Sequence, residues 1–349
     1  MSISPFDHPF LSGLLGDAEI SDYFSATADI RAMLDFEAAL ARVEAQHGLI
    51  PQASARRIEE ICASFEPDLS SLKAATATDG VVVPDLVKQL RKAVGEDAGS
   101  HAHFGATSQD VIDTSLMMRL KAVAFLLSGR LFAVSAGLQK LDKQFGSNRL
   151  MGRTRMQAAI PITVSDRLRA WRHPLDQYRD RLTQESFALQ FGGAAGTLEK
   201  FGPRAEDIRA SLAQALGLTD EPQWQSQRGR IAELAGLLSM ISGSLGKIGQ
   251  DVALLAQAGD EIELAGGGGS SAMPHKQNPV AAEMLVTLAR FNAVQLSGIH
   301  QSLVHEQERS GAAWTLEWLL LPQMAVATAA SLRHALELIG MIKRLGTAA

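Results

Sequence analysis

The fold class that this sequence predicts is all-α, built around a long central helix bundle. Two observations predict it: apolar residues recur at helical spacing, and the segment from Ser108 to Phe145 contains no proline and little glycine. That segment predicts one helix about 57 Å long, at 1.5 Å per residue. No segment alternates apolar and polar residues for long enough to favour a β-sheet.

Shorter helices are predicted in the first hundred residues. Apolar side chains recur at helical spacing after Thr27, which we expect to be the N-cap, and Gly48 followed by Pro51 ends this helix. Two further helices are predicted, from about Ser54 to Ser64 and from Asp85 to Val94. These elements predict an N-terminal helical domain over residues 1–104.

Long helices are predicted through the remainder of the chain. After Ser108 to Phe145 they run from about Pro161 to Leu189, Ile231 to Ala258, Val280 to Glu306 and Ala313 to Arg344. They predict a central bundle domain over residues 105–345. The segment from Ala232 to Ala258 is apolar on more than one face and rich in small residues, so it needs more neighbours than one chain provides. We therefore predict a homo-oligomer joined through the bundle.

Composition excludes several classes of protein. With 349 residues, of which 46% are hydrophobic and 20% charged, the chain can bury a large core and is not predicted to be disordered. A net charge of −5 without a basic stripe argues against a nucleic-acid partner. No membrane association is expected, because residues 1–10 do not resemble a signal sequence and the low-charge run from Ala122 to Leu138 falls short of a bilayer span. The single cysteine, Cys62, is expected to pack in the core, and a cytoplasmic location is expected.

A glycine-rich loop from Gly266 to Pro279 is the most informative motif. Four successive glycines supply a mobile base, and two prolines shape the tip, which is how a lid over a site is built. The tip contains the hydroxyls of Ser270 and Ser271, the cation of Lys276 and the amide of Asn278. These groups suit a reaction in which negative charge develops beside a moving proton.

This loop, with its run Gly-Ser-Ser-Ala-Met-Pro-His-Lys-Gln-Asn-Pro, resembles the signature loop of the fumarase/aspartase superfamily. Two further segments resemble that superfamily, His-Phe-Gly-Ala-Thr-Ser-Gln-Asp-Val at 103–111 and Gly-Arg-Thr-Arg-Met-Gln-Ala-Ala-Ile-Pro at 152–161. The resemblance extends from about Phe6 to about Leu338. It implies a fumarase/aspartase-like fold and a homotetramer in which three subunits build each active site. It also leads us to expect that the small C-terminal domain of such proteins is largely absent.

The resemblance also implies a site for a small polycarboxylate substrate. Superfamily reactions pass through a carbanion delocalised into a carboxylate, which requires preorganised donors and cations. Ser270 is implied as the proton carrier and Lys276 as a catalytic cation. The implied substrate-binding residues are His103, Thr107, Ser108, Arg155, Gln157, Ser271, Met273 and Asn278, with Arg309 a weaker candidate. No cofactor is expected, and no metal is expected because His101 and His103 lack a further ligand at metal spacing.

Each of these residues also has a structural interpretation. Taken alone, Thr107 and Ser108 are an ordinary helix start, and His103 is more often a packed or solvated histidine than a site residue. Trp314 and Trp318 lie four residues apart on one helical face, which favours packing over substrate contact. Thr107, Ser108 and His103 become site candidates because they occur in the same chain as the signature loop.

The reaction class follows from a difference between this chain and the lyases. Members that resemble adenylosuccinate lyase carry a histidine after the threonine of the Arg-Thr segment and another in an early segment. Here Arg155 occupies the first position, and Thr78–Pro84 contains no histidine. Release of an amine calls for a proton donor, whereas a cycloisomerisation adds a carboxylate within one molecule.

These features, with the late segment from His305 to Trp318, resemble the 3-carboxy-cis,cis-muconate cycloisomerase branch of the superfamily. That resemblance implies formation of a carboxymuconolactone in aromatic-acid catabolism, with Arg155 pairing with a substrate carboxylate. Two alternatives stay open at this point. One is an adenylosuccinate-type lyase that releases fumarate, and the other is a non-catalytic relative of the kind that the crystallins illustrate.

Overall fold

The computed structural model describes residues 4–269, 272–273 and 277–348. Its N-terminal helices are α1 (Ser12–Leu15), α2 (Ala18–Asp22), α3 (Ala26–Gln46), α4 (Gln52–Ser64), α5 (Leu69–Asp79), α6 (Val83–Val94) and α7 (Glu96–Gly99). The later helices are α8 (Ser108–Phe145), α9 (Val164–Gln184), α10 (Ala205–Leu216), α11 (Gly229–Ala258), α12 (Val280–Gln301) and α13 (Gly311–Met341), with a 3₁₀ helix at Glu199–Arg204. The strands are β1 (Arg149–Thr154), β2 (Gln157–Thr163), β3 (Ile262–Leu264) and β4 (Ile342–Leu345). The fold is mostly helical, as predicted.

Small residues let the central helices approach closely. A Cβ atom added at Gly246 of α11 would lie 2.5 Å from the Cβ of Ala289 on α12, and one added at Gly249 would lie 2.5 Å from the carbonyl oxygen of Ala282. Glycine is therefore required at this contact, because any side chain would push the two helices apart. The small residues of the Ala232–Ala258 segment therefore allow close packing within the chain, and the contact with further copies stays a prediction.

A buried amide connects helices α11, α12 and α13 of this bundle. Asn292 of α12 is fully buried, and its Nδ2 donates to the hydroxyl of Ser242 on α11 at 3.0 Å and to that of Thr328 on α13 at 2.9 Å. A buried polar group costs little only when its hydrogen bonds are made, so this contact favours one register of the three helices.

The prediction that the chain contains no sheet was wrong in two places. Strands β1 and β2 form an antiparallel hairpin, and β3 pairs antiparallel with β4 near the chain's last described residues. Each sheet has two strands, and β2 is exposed along nearly its whole length. A strand without a buried face has no apolar alternation, which is the signal used to predict it.

Four predicted helix ends are misplaced, and the strands explain two of them. Helix α9 begins at Val164 rather than Pro161, because β2 occupies the preceding residues, and it ends at Gln184 rather than Leu189. Helix α13 ends at Met341 because β4 follows directly. Helix α12 ends at Gln301, five residues before the predicted end.

The three predicted N-terminal helices, α3, α4 and α6, are present, with one error at a cap. Ser25, not Thr27, is the N-cap of α3, and its hydroxyl accepts a hydrogen bond from the N–H of Ala28 at 3.2 Å. Helices α1, α2, α5 and α7 were not predicted. Cys62 lies fully buried on α4, consistent with a packing role. The division into domains at residue 104 stays a prediction.

Helix α8 has 38 residues and is therefore about 57 Å long, so the segment before it and the segment after it lie far apart. Thr107 caps its first turn, whereas the hairpin follows its last. Glu261, which precedes β3, lies at the hairpin end, where its Oε1 accepts from the N–H of Met151 at 2.5 Å. The base of the glycine-rich loop follows β3 and therefore also lies at the hairpin end.

Two helices, α8 and α11, are long and apolar enough to cross a membrane when only length and composition are considered. The most apolar 18-residue window of α8 is 39% buried, and that of α11 is 61% buried. Core helices of a large bundle have the same properties, so these features are weak evidence for a membrane span.

Candidate active site

The first candidate segment begins α8. Thr107 is the N-cap, and its own N–H donates to Asp110 Oδ2 at 3.0 Å. Asp110 is fully buried and also accepts from the N–H groups of Gly192 at 2.8 Å and Gly193 at 3.0 Å. Burial raises the pKa of Asp110 to about 6, although these donors favour the charged form. Thr107 and Ser108 thus hold a rigid helix start with both side chains half-buried. The capping role is confirmed, and it leaves the substrate-binding role a prediction.

Arg309 lies beside this helix start. Its Nε donates to Gln109 Oε1 at 2.8 Å, and its Nη2 lies 3.4 Å from the hydroxyl oxygen of Thr107. Arg309 forms no ion pair with a carboxylate of the described residues, so its charge is available to an anion. Sequence ranked this arginine low, because nothing local reveals that residue 309 returns to the start of α8.

Gln109 is hydrogen-bonded to a buried ionic network. Arg228 is completely buried and donates to Asp113 at 2.6 and 3.0 Å and to Glu317 at 2.9 and 2.5 Å. Gln109 Nε2 and Trp314 Nε1 donate to Asp113 as well, at 3.1 and 3.0 Å. Trp314 is therefore a buried structural residue, in line with the packing interpretation.

His103 precedes the helix start and is held by a carboxylate that the sequence analysis missed. Its Nδ1 lies 2.6 Å from Glu37 Oε1, and Glu37 is 1% exposed on α3. A signal for Glu37 existed: Met33, Glu37, Leu40 and Glu44 recur at helical spacing, so two carboxylates lie on the buried face of α3.

The second candidate segment is the tip of the β1–β2 hairpin. Arg155 and Met156 both adopt left-handed φ angles, of 47° and 67°, which residues with side chains rarely adopt. Arg155 and Gln157 are exposed, and Arg155 makes no hydrogen bond or ion pair with a described residue. Strain at an exposed tip that presents an unpaired guanidinium is typical of functional positions.

A cavity of about 600 Å³ beside this tip is rich in positive charge. It is lined by Arg153, Arg155, Arg167 and Lys247, with Asp251 as the carboxylate of its lining. Arg153 pairs with Glu261, and both Lys247 and Arg167 approach Asp251. Among the described lining residues, Arg155 is the cation that makes no ion pair, and Arg167 and Lys247 share one carboxylate.

The third candidate segment is the glycine-rich loop, of which the structure describes the base. Gly268 and Asn278 bridge the two sides, with backbone hydrogen bonds of 2.9 and 2.8 Å. Gly267 has φ of 155°, and a Cβ there would lie 2.9 Å from the carbonyl oxygen of Asn278, so this position requires glycine. Met273 is partly exposed. Ser270, Ser271 and Lys276 lie outside the described residues.

Among the described residues, two of the candidate segments lie apart. His103, Thr107, Ser108 and Arg309 lie at the first end of α8, whereas the hairpin and the base of the glycine-rich loop lie at the other end.

The fold and these segments define a helical lyase. The lyase family model matches residues 16–294, and the chain belongs to this family, within the fumarase/aspartase superfamily. Among its relatives, the 3-carboxy-cis,cis-muconate cycloisomerase of Pseudomonas aeruginosa is 38% identical over 327 residues, covering 90% of this chain and 71% of that protein.

Solved structures agree with this assignment. The 3-carboxy-cis,cis-muconate lactonizing enzyme of Pseudomonas putida superposes with a TM-score of 0.90 and 35% identity, over 96% of this chain and 77% of that one. A fumarate lyase from Mesorhizobium sp. BNC1 superposes with a TM-score of 0.87 and 29% identity, over 95% and 76% of the two chains.

Proposed function

We propose that this protein is a cycloisomerase that converts 3-carboxy-cis,cis-muconate into a carboxymuconolactone. The observation that carries the proposal is the 38% identity to a cycloisomerase of that substrate, spread over 90% of the chain. The pattern of unpaired cations agrees with it, because the substrate has three carboxylates and each needs a partner in a partly desolvated site.

The candidate substrate-binding cations of the described residues lie at the two ends of α8. His103 precedes Thr107 by four residues, Arg309 Nη2 lies 3.4 Å from the Thr107 hydroxyl oxygen, and Arg155 stands at the hairpin tip. We propose that the first group binds the carboxylate that receives the developing charge, and that Arg155 pairs with a second carboxylate. Gln157, Ser271, Met273 and Asn278 complete the proposed substrate contacts.

The proposed reaction transfers no atom out of the substrate. One carboxylate oxygen attacks the conjugated double bond, and its electron pair moves through the bond into another carboxylate to give an enolate-like dianion. Lys276 and the donors at the start of α8 stabilise that charge, since cations and N–H groups aimed at a developing oxyanion lower the barrier. Ser270 then delivers a proton to the adjacent carbon and recovers it from solvent. The lactone and the substrate are isomers as free acids, and the proton added at carbon replaces the one that the attacking carboxyl group had lost to solvent. The reaction as written requires no cofactor.

The proposed assembly is a cytoplasmic homotetramer in which three subunits build each site. Its support is the separation of the segments along α8, together with large apolar side chains exposed on the bundle helices. Phe125 and Phe132 of α8, Val294 of α12 and Leu319 of α13 are each at least 60% exposed in the single chain. Apolar side chains on long helices favour burial against further copies of the bundle.

The test measures the ultraviolet absorbance of the conjugated diene when purified protein meets 3-carboxy-cis,cis-muconate. Loss of the absorbance with a lactone product and without fumarate is the expected result. A parallel reaction with adenylosuccinate measures fumarate release. An inert diene with fumarate released would assign the chain to the lyases and overturn the proposal, and inactivity on both substrates would also overturn it.

A further inference from the structure

We infer that Glu37 is a positioning residue that keeps His103 doubly protonated, so that His103 presents a fixed positive charge to a substrate carboxylate beside Thr107. The inference rests on the proposed function for its consequence in catalysis. The charge state of His103 itself can be measured without any substrate.

The geometry of the pair supports this role. Glu37 Oε1 lies 2.6 Å from His103 Nδ1, the short contact typical of a charge-assisted hydrogen bond. The Glu37 side chain is 1% exposed and that of His103 is 14% exposed, so water screens the pair weakly. With Nδ1 directed at Glu37, the Nε2–H of the ring points away from that carboxylate and can donate to an anion.

Three elements place charged groups near the imidazole. Glu37 belongs to α3, Asp110 to α8 and Arg91 to α6, and Arg91 also donates to the carbonyl oxygen of Ala102 at 2.9 Å. Burial alone would lower the pKa of His103. The charge and hydrogen bond of Glu37, with a contribution from Asp110, more than offset burial and the repulsion from Arg91, and the pKa is raised.

A second buried carboxyl group lies seven residues further along α3. Glu44 is fully buried, and neither of its oxygens has a hydrogen-bond partner among the described residues. Burial, and then the charge of Glu37, raises the pKa of Glu44 to about 9, so Glu44 is neutral near pH 7. Glu37 is therefore the carboxyl group on the buried face of α3 that contacts His103, whereas Glu44 is neutral.

The backbone holds His103 in place for this contact. His103 adopts a left-handed φ of 61°, which costs free energy in a residue with a side chain. The bond to Glu37 offsets that cost and aims the ring. Loss of the carboxylate would thus change both the charge and the orientation of the imidazole, four residues before Thr107.

The test combines nuclear magnetic resonance with kinetics in three variants. Titration of the His103 ring signals gives its pKa in the wild type, in Glu37→Gln and in Glu44→Gln. The matched control is Glu44→Gln, because it makes the same chemical change on the same helix face and replaces a group that is already neutral. The third variant, His103→Gln, has no titrating group at this position.

The expected wild-type result is a His103 pKa above the ordinary value and a KM that rises only as the pH passes through that pKa. Glu37→Gln should bring the pKa below the ordinary value and raise KM at pH 7.5 by about tenfold or more, the effect of losing one charge-assisted contact. Glu44→Gln should leave the pKa of His103 and the pH profile of KM unchanged. His103→Gln should have a raised KM that varies little over the pH range in which His103 of the wild type titrates.

Two results would overturn the inference. One is a His103 pKa at or below the ordinary value in the wild type, and the other is a Glu37→Gln protein with an unchanged pKa and KM profile. If Glu37→Gln does not fold, the wild-type titration and the flat profile of His103→Gln still decide the matter. A Glu37-dependent pKa in a protein inactive on the muconate would refute the proposed function and leave the assigned charge state standing.

Discussion

Replacement of Arg228 by methionine is the perturbation with the largest predicted effect on stability. Arg228 neutralises two buried carboxylates, Asp113 and Glu317, through four hydrogen bonds of 2.5 to 3.0 Å. Methionine fills much of the same volume but donates nothing. The variant would leave both carboxylates buried without their cation, a case in which removal of one partner costs about 3–5 kcal/mol.

The magnitude depends on what stays around the two acids. Asp113 keeps the donors Gln109 and Trp314, whereas no other described residue donates a hydrogen bond to Glu317, whose pKa is already raised by burial and whose Oε1 lies 3.9 Å from His305 Nε2. Glu317 is therefore expected to take up a proton in the variant. Because its folded pKa is then raised further above the unfolded value, the variant should regain stability as the pH falls from 7 to 5.

The assay is denaturant unfolding at a fixed subunit concentration, which removes effects of mass action on an oligomer. The matched control is Arg31→Met, since Arg31 also pairs with a carboxylate, Asp35 at 2.7 Å, but both side chains are at least 40% exposed. The control should lose less than about 1 kcal/mol. Equal losses in the two variants, or a loss at Arg228 that does not shrink in acid, would refute the reasoning.

The remaining predictions concern single side chains and the assembly of the site. Glu44→Gln should stabilise the protein by about 3 kcal/mol at pH 7. The folded pKa of Glu44 is about 9, so the wild-type protein loses stability as the pH rises above 4.5, whereas glutamine does not titrate. Denaturant unfolding at pH 5 and pH 8 measures the difference, and a gain in stability independent of pH would contradict the prediction. Ser270→Ala should lower kcat by about 10²-fold or more with an unchanged circular dichroism spectrum, and near-normal turnover would remove Ser270 from the mechanism. Arg155→Gln should raise KM by about tenfold or more. Mixed and reassembled Arg155→Gln and Ser270→Ala subunits should regain activity, because some sites then receive neither substitution; no recovery in confirmed mixed oligomers would contradict shared sites.

Sequence by itself determined the helical class and the location of the main segments. The bounds of α8 are those predicted, because a 38-residue run without proline and with a Thr-x-x-Asp start leaves little freedom. Apolar periodicity did not predict the segments in which buried side chains do not recur at regular spacing. The exposed strand β2 and the short β3–β4 pair have no one-sided apolar pattern, and both were missed.

Tertiary structure alone decided which distant residues meet. Arg309 reaches Thr107 across about two hundred residues, Glu37 reaches His103 from another helix, and Arg228 neutralises acids on α8 and α13. A carboxylate on an apolar helix face indicates that a buried partner exists, but the sequence does not identify that partner. Only the packing of the helices shows which residue it is. The separation of the Thr107 and hairpin segments, by contrast, follows from the predicted helix of about 57 Å between them, whereas only the tertiary structure shows that the base of the glycine-rich loop lies at the hairpin end.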